Sequence, residues 1–265
     1  MELVKNIVRV GNSAGILVPK QYLGGSAKIL ILEKPLDIAK DSLKILNPYL
    51  DSILGIYLVG SYARGEEKKN SDVDIIVITS EITKRILNGK YNILLFSYED
   101  MESMQNKNIL PIYPMLLEAK TILNKRLLAD MLKIKVNKNA FKFHIETTES
   151  SLKIIENLLD VSKKNYVGVN VIYPLILRLR QLFIVDCMLK KRPYKNKDFV
   201  DLLGKITKNK LKEPVVYEIY RLEKNKISKG RNINNPSIFE VRKILDFAKK
   251  MLKKQKFEIL KYTVK

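Results

Sequence analysis

Two aspartates, Asp72 and Asp74, alternate with apolar residues in the segment SDVDIIVI, residues 71–78. Side chains two residues apart on a β-strand point to the same face, so this spacing brings both carboxylates to one spot. Carboxylates held side by side repel each other unless a cation lies between them, and Mg²⁺ prefers carboxylate oxygens together with substrate phosphates. The pair therefore predicts a magnesium site.

A Gly-Ser pair, Gly60 and Ser61, precedes the aspartates, with ten residues between Ser61 and Asp72. The apolar run before it, residues 53–59, is typical of a buried strand that ends at Gly60. We expect Ser61 to cap a short helix whose unpaired backbone N–H groups form an anion site, to which Arg64 adds a fork of donors. The alternative is that the two aspartates simply face solvent on a half-exposed strand after a polar loop. The Gly-Ser element ahead of them favours instead a site that binds both a metal ion and a triphosphate.

Residues 60–74 resemble the signature of the DNA polymerase β nucleotidyltransferase superfamily, in particular its minimal and kanamycin-type branches. The resemblance implies that Gly60 and Ser61 bind the phosphates of a nucleoside triphosphate such as ATP, and that Asp72 and Asp74 bind two Mg²⁺ ions. It implies an enzyme in which an acceptor hydroxyl attacks the α-phosphorus and pyrophosphate leaves. The acceptor would be an RNA end, a protein or a small molecule.

The superfamily usually has a third carboxylate on a neighbouring strand. The next strand candidate here, YNILLFS at residues 91–97, carries no acid, and Asn92, or Ser97 in another register, takes the expected place. Three acids lie close enough in sequence to substitute: Glu99, Asp100 and Glu118. The acid pair after Tyr98 is, however, typical of the first turn of a helix. Either a displaced acid completes the site, or catalysis is weak and the protein is a non-catalytic, nucleotide-sensing, DNA-binding regulator.

Composition excludes several other classes of protein. The chain has 265 residues, of which 46% are hydrophobic, and it has neither an apolar run long enough for a membrane span nor a secretory signal pattern, so we expect a cytoplasmic globular protein. One cysteine, Cys187, excludes an internal disulfide and a cysteine-cluster zinc site, and we expect it in the core. The single histidine, His144, is interpreted as a structural or surface residue, because nothing nearby in the sequence orients it as a base.

Positive charge is concentrated in the second half of the chain. Residues 1–130 contain 17 Lys and Arg against 15 Asp and Glu, whereas residues 131–265 contain 32 against 13. Such a field attracts phosphate-bearing partners, so it predicts binding to nucleic acid, although a compositional bias toward lysine is the alternative. Lysine-rich stretches near 190–197, 205–212, 224–231 and 248–256 would line a groove or form solvated faces.

The fold class predicted from these patterns is α+β, with three parts. Residues 1–33 form a small β module, residues 34–130 a nucleotidyltransferase core of mixed sheet and helices, and residues 131–265 a strongly basic helical bundle. In the core we expect a helix over 36–52, and an Asn88-Gly89 turn between a short helix and the strand 91–97.

The N-terminal module has turns at Gly11-Asn12 and Gly24-Gly25 and a final strand before residue 33. Its VGNS and VP motifs, residues 10–13 and 18–19, resemble the AbrB-like swapped-hairpin DNA-binding modules. The resemblance implies DNA contacts by Lys5, Arg9 and Asn12. So short a segment cannot bury a core alone, so we expect a homodimer, with docking on the next domain as the alternative.

Five helices are expected in the C-terminal part, over 144–163, 170–190, 196–208, 213–226 and 237–256. The segment at 171–194 resembles the helical domain of kanamycin-type nucleotidyltransferases and of the HEPN group, but no histidine follows His144, so the HEPN nuclease motif is absent. Arg178 and Arg180 lie in an apolar helix, where an arginine needs an anion or an acid; they either face the catalytic cleft or form salt bridges.

Overall fold

The computed structural model describes residues 3–30, 36–110, 112–133, 138–162, 165–208, 214–224 and 235–262. The chain divides into two compact units, Met1–Asp37 and Ile38–Lys265. The predicted α+β class is confirmed, since the second unit contains a mixed sheet followed by a helical region.

The first unit contains a β-hairpin of two short strands, β1 (Val8–Val10) and β2 (Ser13–Gly15), which are antiparallel. Val10 pairs with Ser13, so the predicted turn at Gly11-Asn12 closes the hairpin. Gly11 has a φ of +57°, the left-handed conformation that such tight turns require. No strand forms over the described residues 16–30, and the rest of the predicted final strand, at 31–32, lies outside the described residues.

The sheet of the second unit has five strands in the order β5-β6-β4-β3-β7. Their bounds are β3 Ile53–Val59, β4 Val73–Thr79, β5 Lys84–Asn88, β6 Tyr91–Ser97 and β7 Lys120–Leu123. The β4 and β6 strands are parallel and all other neighbouring pairs are antiparallel, so the sheet is mixed.

Helices cover both faces of this sheet, which explains why its central strands are apolar throughout. They are α1 Ile38–Leu46, α3 Tyr98–Lys107, α4 Ile112–Leu117 and α5 Lys125–Lys133, with the short α2 Gly60–Arg64 at the end of β3. Along β4, Val73, Ile75 and Val77 pack in the cluster that contains Leu46 of α1. Ile76 and Ile78 pack on the other face, with Met101 of α3 and Leu128 of α5.

Two predictions in the core need correction. The expected helix over 36–52 is α-helical only to Leu46, and Asn47–Ser52 is a 3₁₀ helix, because Pro48 has no N–H to continue an α-helical turn. The short helix expected before Asn88 is wrong, since Lys84–Asn88 is strand β5. Gly89, with a φ of +55°, lies in the turn to β6, and β5 pairs with β6 as a hairpin.

The C-terminal region is helical, as predicted. Its helices are α6 Lys142–Asp160, α7 Val169–Leu189, α8 Asn196–Thr207, α9 Val215–Lys224 and α10 Ile238–Tyr262. They agree with the predicted spans to within a few residues, except that α10 extends to Tyr262, beyond the predicted end at 256. The predicted helix ends at 163, 213 and 225–226 lie outside the described residues. One apolar cluster joins all five helices and contains Cys187, which is 1% exposed as expected for a core residue.

Across the described part of the chain, none of the helices combines the length and apolarity needed to span a membrane.

Candidate functional site

The turn between β3 and α2 brings Gly60 against Asp74. Gly60 has a φ of +72°, and a Cβ atom placed on it would lie 2.6 Å from Asp74 Oδ2. Glycine suits this position for two reasons: the backbone is left-handed, and the Asp74 carboxylate leaves no room for a Cβ atom. The predicted helix is present, but it begins at Gly60 with Val59 as its N-cap residue, so Ser61 does not cap it and lies in its first turn. Gly65 ends the helix in a left-handed conformation.

The two aspartates lie at the start of β4, with Asp72 exposed and Asp74 half-buried. Both line a cavity of about 1150 Å³, together with Gly60, Ser61 and Arg64. Burial raises the pKa of the Asp74 carboxyl, and the charge of Asp72 raises it further, although a hydrogen bond from Asn92 lowers it. Two hard carboxylate donors at an open cavity, beside backbone N–H groups, suit Mg²⁺ with its bound phosphates.

Asn92 lies directly opposite Asp74 on the parallel strand β6. Its Nδ2 donates to Asp74 Oδ1 over 2.8 Å, and its Oδ1 accepts from Arg85 Nε over 2.9 Å. The place where a third carboxylate was expected therefore holds an amide that binds the second aspartate. Within the described ranges, no group of three or more His, Cys, Asp or Glu side chains is arranged to hold a metal ion. The other register candidate, Ser97, caps α3 by accepting from the Asp100 N–H.

Of the three acids considered as substitutes, Glu118 lines the cavity. Its Oε1 accepts from the Gly60 N–H over 2.9 Å and from Arg64 Nη1 over 2.7 Å, and its Oε2 accepts from the same Nη1 over 2.8 Å. Burial raises the pKa of Glu118, with Arg64 acting against that rise. Glu118 thus accepts hydrogen bonds from the Gly60 N–H and from Arg64, the groups that were predicted from the sequence to bind phosphate. Glu99 and Asp100 lie instead in the first turn of α3, where Asp100 accepts from Thr83.

Arg64 also joins the sheet to the helical region. Its Nε donates to Glu66 Oε2 over 2.8 Å, and Glu66 Oε1 accepts from the Asn196 N–H at the start of α8 over 2.9 Å. The Arg64 guanidinium lies 5.4 Å from the centroid of the Tyr194 ring. The turn after β3 is therefore joined to the segment that leads into α8, through the Tyr194 ring and through Glu66.

The helical region supplies three cations to the cavity wall: Arg178, Arg180 and Lys224. Two alternatives were open for the arginines of α7, a place at the cleft or a salt bridge. Both Arg178 and Arg180 line the cavity, and neither has a salt bridge to an acid among the described residues. Arg180 Nε donates instead to Tyr194 Oη over 2.9 Å.

Lys224 was not singled out from the sequence, where it belongs to one of several lysine-rich stretches. Burial lowers the pKa of Lys224, and so does the charge of Arg180, while Asp74 and Asp72 act in the opposite direction. The lysine therefore lies within electrostatic reach of the acid pair. The only signal for Lys224 in the sequence was its position near the end of the helix predicted over 213–226.

His144 lies buried in the cavity wall, with Nε2 3.5 Å from Gln255 Oε1. Burial lowers its pKa to about 4, so the imidazole is neutral near pH 7. The interpretation of His144 as structural agrees with this burial.

Lys5, Arg9 and Asn12 belong to the first unit and are exposed. Arg9 Nε donates to the Gly11 carbonyl over 3.0 Å across the hairpin turn. The DNA contacts implied for these three residues stay a prediction.

Residues 36–137 match the family model of the nucleotidyltransferase domain. Among solved structures, a nucleotidyltransferase-like protein from Exiguobacterium sibiricum is similar at 14% identity and a TM-score of 0.37, over 85% of this chain and 78% of that one. A spectinomycin adenyltransferase from Enterococcus faecialis, solved with ATP and spectinomycin, is similar at 16% identity and a TM-score of 0.40. The similarity covers 81% of this chain and 97% of that one. No curated protein matches the chain.

Proposed function

We propose that the protein transfers a nucleoside monophosphate from a nucleoside triphosphate to a hydroxyl acceptor, with Mg²⁺ bound by Asp72 and Asp74. The observation that carries the proposal is that the acid pair and the Gly60-Ser61 turn line the same cavity. Both lie in the stretch that matches the nucleotidyltransferase domain model, which supports the proposal. Magnesium would neutralise charge on the attacking and leaving oxygens during the in-line displacement.

The turn would bind the leaving phosphates. The Gly60 N–H and the Arg64 guanidinium point at one carboxylate, that of Glu118, and a triphosphate presents the same kind of oxygen with more charge. Glu118 must therefore give up these donors when a triphosphate binds. Lys224, which acts on both aspartates, adds positive charge to the same cavity.

The test uses labelled triphosphates and Mg²⁺ with the full chain. We expect transfer of label by the native protein and none by the Asp72→Asn, Asp74→Asn double variant, while an exposed aspartate on the 3₁₀ helix, changed as Asp51→Asn, leaves transfer intact. Transfer by the double variant at the native rate would contradict the proposal.

A second candidate function is a nucleotide sensor without catalysis. The observation that favours it is Asn92, which holds Asp74 from the place of the missing carboxylate. Triphosphate binding that depends on Asp72 and Asp74, without transfer to any acceptor, is the result that would select the sensor.

For the first unit we propose dimerisation and DNA binding. Large apolar side chains of this unit are exposed, among them Leu17, Val18 and Leu23, and their burial against a second copy would supply the core that a short chain lacks. Sedimentation velocity should show a dimer, and Leu17→Glu should shift it toward monomer. Lys5→Ala and Arg9→Ala should weaken duplex DNA binding and reduce its salt dependence.

A further inference from the structure

One wall of the cavity lies between α6 and α7 and takes no part in binding the metal or the triphosphate as proposed above. Four side chains define this wall, which we call the α6–α7 wall: Phe143, Thr147, Arg178 and Gln181. Thr147 follows Phe143 by one helical turn, and Gln181 follows Arg178 by nearly one turn, so each helix presents a neighbouring pair.

Arg178 has only neutral hydrogen-bond partners among the described residues. Its Nε donates to Ser151 Oγ over 3.1 Å, and its Nη1 donates to Thr147 Oγ1 over 3.3 Å and to Gln181 Oε1 over 3.0 Å. These oxygens orient the guanidinium without neutralising its charge. A planar, positioned guanidinium that retains its charge at a cavity is suited to a phosphate or a carboxylate.

The helical side of the cavity is basic. It contributes Arg178, Arg180 and Lys224, and no acid of the helical region lines the cavity among the described residues. The acids that line it come from the sheet side: Asp72 and Asp74, which the proposed function assigns to metal, and Glu118, which pairs with Arg64. An acceptor carrying several amino groups would meet like charge on this wall, whereas an anionic acceptor would be attracted.

Phe143 gives the wall an aromatic surface. Phe143 is 56% exposed although it lines the cavity, so the residue is accessible to a flat partner. Bases of single strands stack on such rings, and arginine contacts to the backbone beside the ring are typical of single-strand binding sites.

The α6–α7 wall and the turn that would bind the triphosphate contain different cations, Arg178 on the wall and Arg64 on the turn. The cations that act on the pKa of Asp74 are Lys224 and Arg64. Arg178 acts instead on the pKa of His144, which follows Phe143 on α6. A polynucleotide end on this wall and a triphosphate on the turn would thus use different cations.

Resting on the proposed function, we propose that the acceptor is the 3′ end of a single-stranded polynucleotide, with a backbone phosphate on Arg178 and a base on Phe143. In the reaction the terminal 3′ oxygen bonds to the α-phosphorus of the triphosphate, the bond from that phosphorus to the β-phosphate bridging oxygen breaks, pyrophosphate leaves, and the hydroxyl proton passes to solvent. The product is longer by one nucleotide.

The experiment incubates the full chain with α-labelled triphosphates, Mg²⁺ and one of four oligonucleotides: RNA or DNA of the same sequence, each with a free or a phosphorylated 3′ end. We expect extension of a free 3′ end and none of a phosphorylated one, and the RNA and DNA arms show which sugar is used. An acidic peptide containing serine and tyrosine, and an aminoglycoside, serve as alternative acceptors and should remain unlabelled.

Binding is measured separately, by fluorescence anisotropy of a labelled oligonucleotide without triphosphate. Arg178→Gln should raise the Kd about tenfold and reduce the slope of log K against log salt by roughly one, as expected for one lost phosphate contact. Phe143→Ala should raise the Kd about tenfold, within the range known for stacking of one base. Neither variant should change the Kd for triphosphate, which also verifies that it is folded.

Arg242→Gln and Phe239→Ala are matched controls, because both residues are on α10, away from the cavity lining, and Phe239 is 67% exposed. They should bind the oligonucleotide as the native chain does. Native affinity in Arg178→Gln, or transfer to peptide or aminoglycoside and not to oligonucleotide, would overturn this assignment and leave the proposed function standing. Absence of transfer to every acceptor would overturn both.

Discussion

Asn92 donates a hydrogen bond from Nδ2 to Oδ1 of Asp74, 2.8 Å away, across the adjoining parallel strands β6 and β4. The pairing register that sets Asn92 opposite Asp74 is a property of the sheet and does not depend on the amide. The residue at this position therefore controls how many carboxylates can approach a metal ion.

Asn92→Asp should tighten metal binding, because it adds a carboxylate beside Asp74 in place of a donor that occupies Oδ1. We expect the Kd for Mn²⁺, used as a spectroscopic substitute for Mg²⁺, to fall about tenfold, or about 1.4 kcal/mol. Electron paramagnetic resonance titration measures it. Asn157→Asp, at an exposed position on α6, is the matched control and should have native affinity. An unchanged Kd in Asn92→Asp would show that the new carboxylate does not reach the ion.

Gly60→Ala should disrupt the turn in two ways. The backbone has a φ of +72°, and the added Cβ would lie 2.6 Å from Asp74 Oδ2, so either the turn or the aspartate must shift. We expect a loss of about 1–3 kcal/mol in the free energy of unfolding, measured by urea denaturation, together with loss of Mn²⁺ binding.

Gly89→Ala is the control for backbone strain alone, since Gly89 has a φ of +55° and nothing within 4 Å of an added Cβ. It should lower the free energy of unfolding by about 1 kcal/mol and leave Mn²⁺ binding unchanged. Equal metal binding in the two variants would argue against the contact between Gly60 and Asp74 as the cause.

Glu118→Gln should strengthen triphosphate binding. The carboxylate now accepts from the Gly60 N–H and from Arg64, and a neutral amide competes less well with phosphate for these charged donors. Isothermal titration with a non-hydrolysable triphosphate should give a Kd lower by roughly tenfold. Glu67→Gln, which is exposed nearby, should not change it. A weaker complex in Glu118→Gln would indicate that Glu118 helps to hold the metal-bound nucleotide.

The pH dependence of stability should report on His144. Burial lowers its pKa to about 4 from an unfolded value near 6.5, so the folded state favours the neutral ring. The stability this provides is fully present above pH ~6.5 and is lost as the pH falls toward 4, by up to about 3 kcal/mol.

Because His144 is the only histidine of the chain, His144→Gln should remove this component. Urea unfolding of both proteins at several pH values between 4 and 7 measures the difference. The carboxylates titrate in both proteins and cancel in the comparison. Parallel curves would show that His144 is not buried in the neutral form.

Much of the site follows from local spacing. The distance from Ser61 to Asp72, the alternation of Asp72 and Asp74, and the apolar runs on either side indicated a turn and a strand with two carboxylates on one face. The structure has this arrangement, with β3 ending at Val59 and β4 beginning at Val73. Such features depend on the two-residue period of a strand, which a sequence displays directly. The helices of the C-terminal region were predictable for the same reason, with a period of 3.6.

The tertiary structure decided which side chains from distant elements complete the cavity. Glu118 is 54 residues from Arg64, and Asn196 is 130 residues from Glu66, yet each pair is joined by a hydrogen bond. Periodicity fixes the face of its own element that a side chain occupies, but packing and strand register determine what lies opposite. The sequence by itself therefore located the acid pair and the turn, and only the folded chain showed that Glu118 binds the donors of the turn and that Arg178, Arg180 and Lys224 line the same cavity.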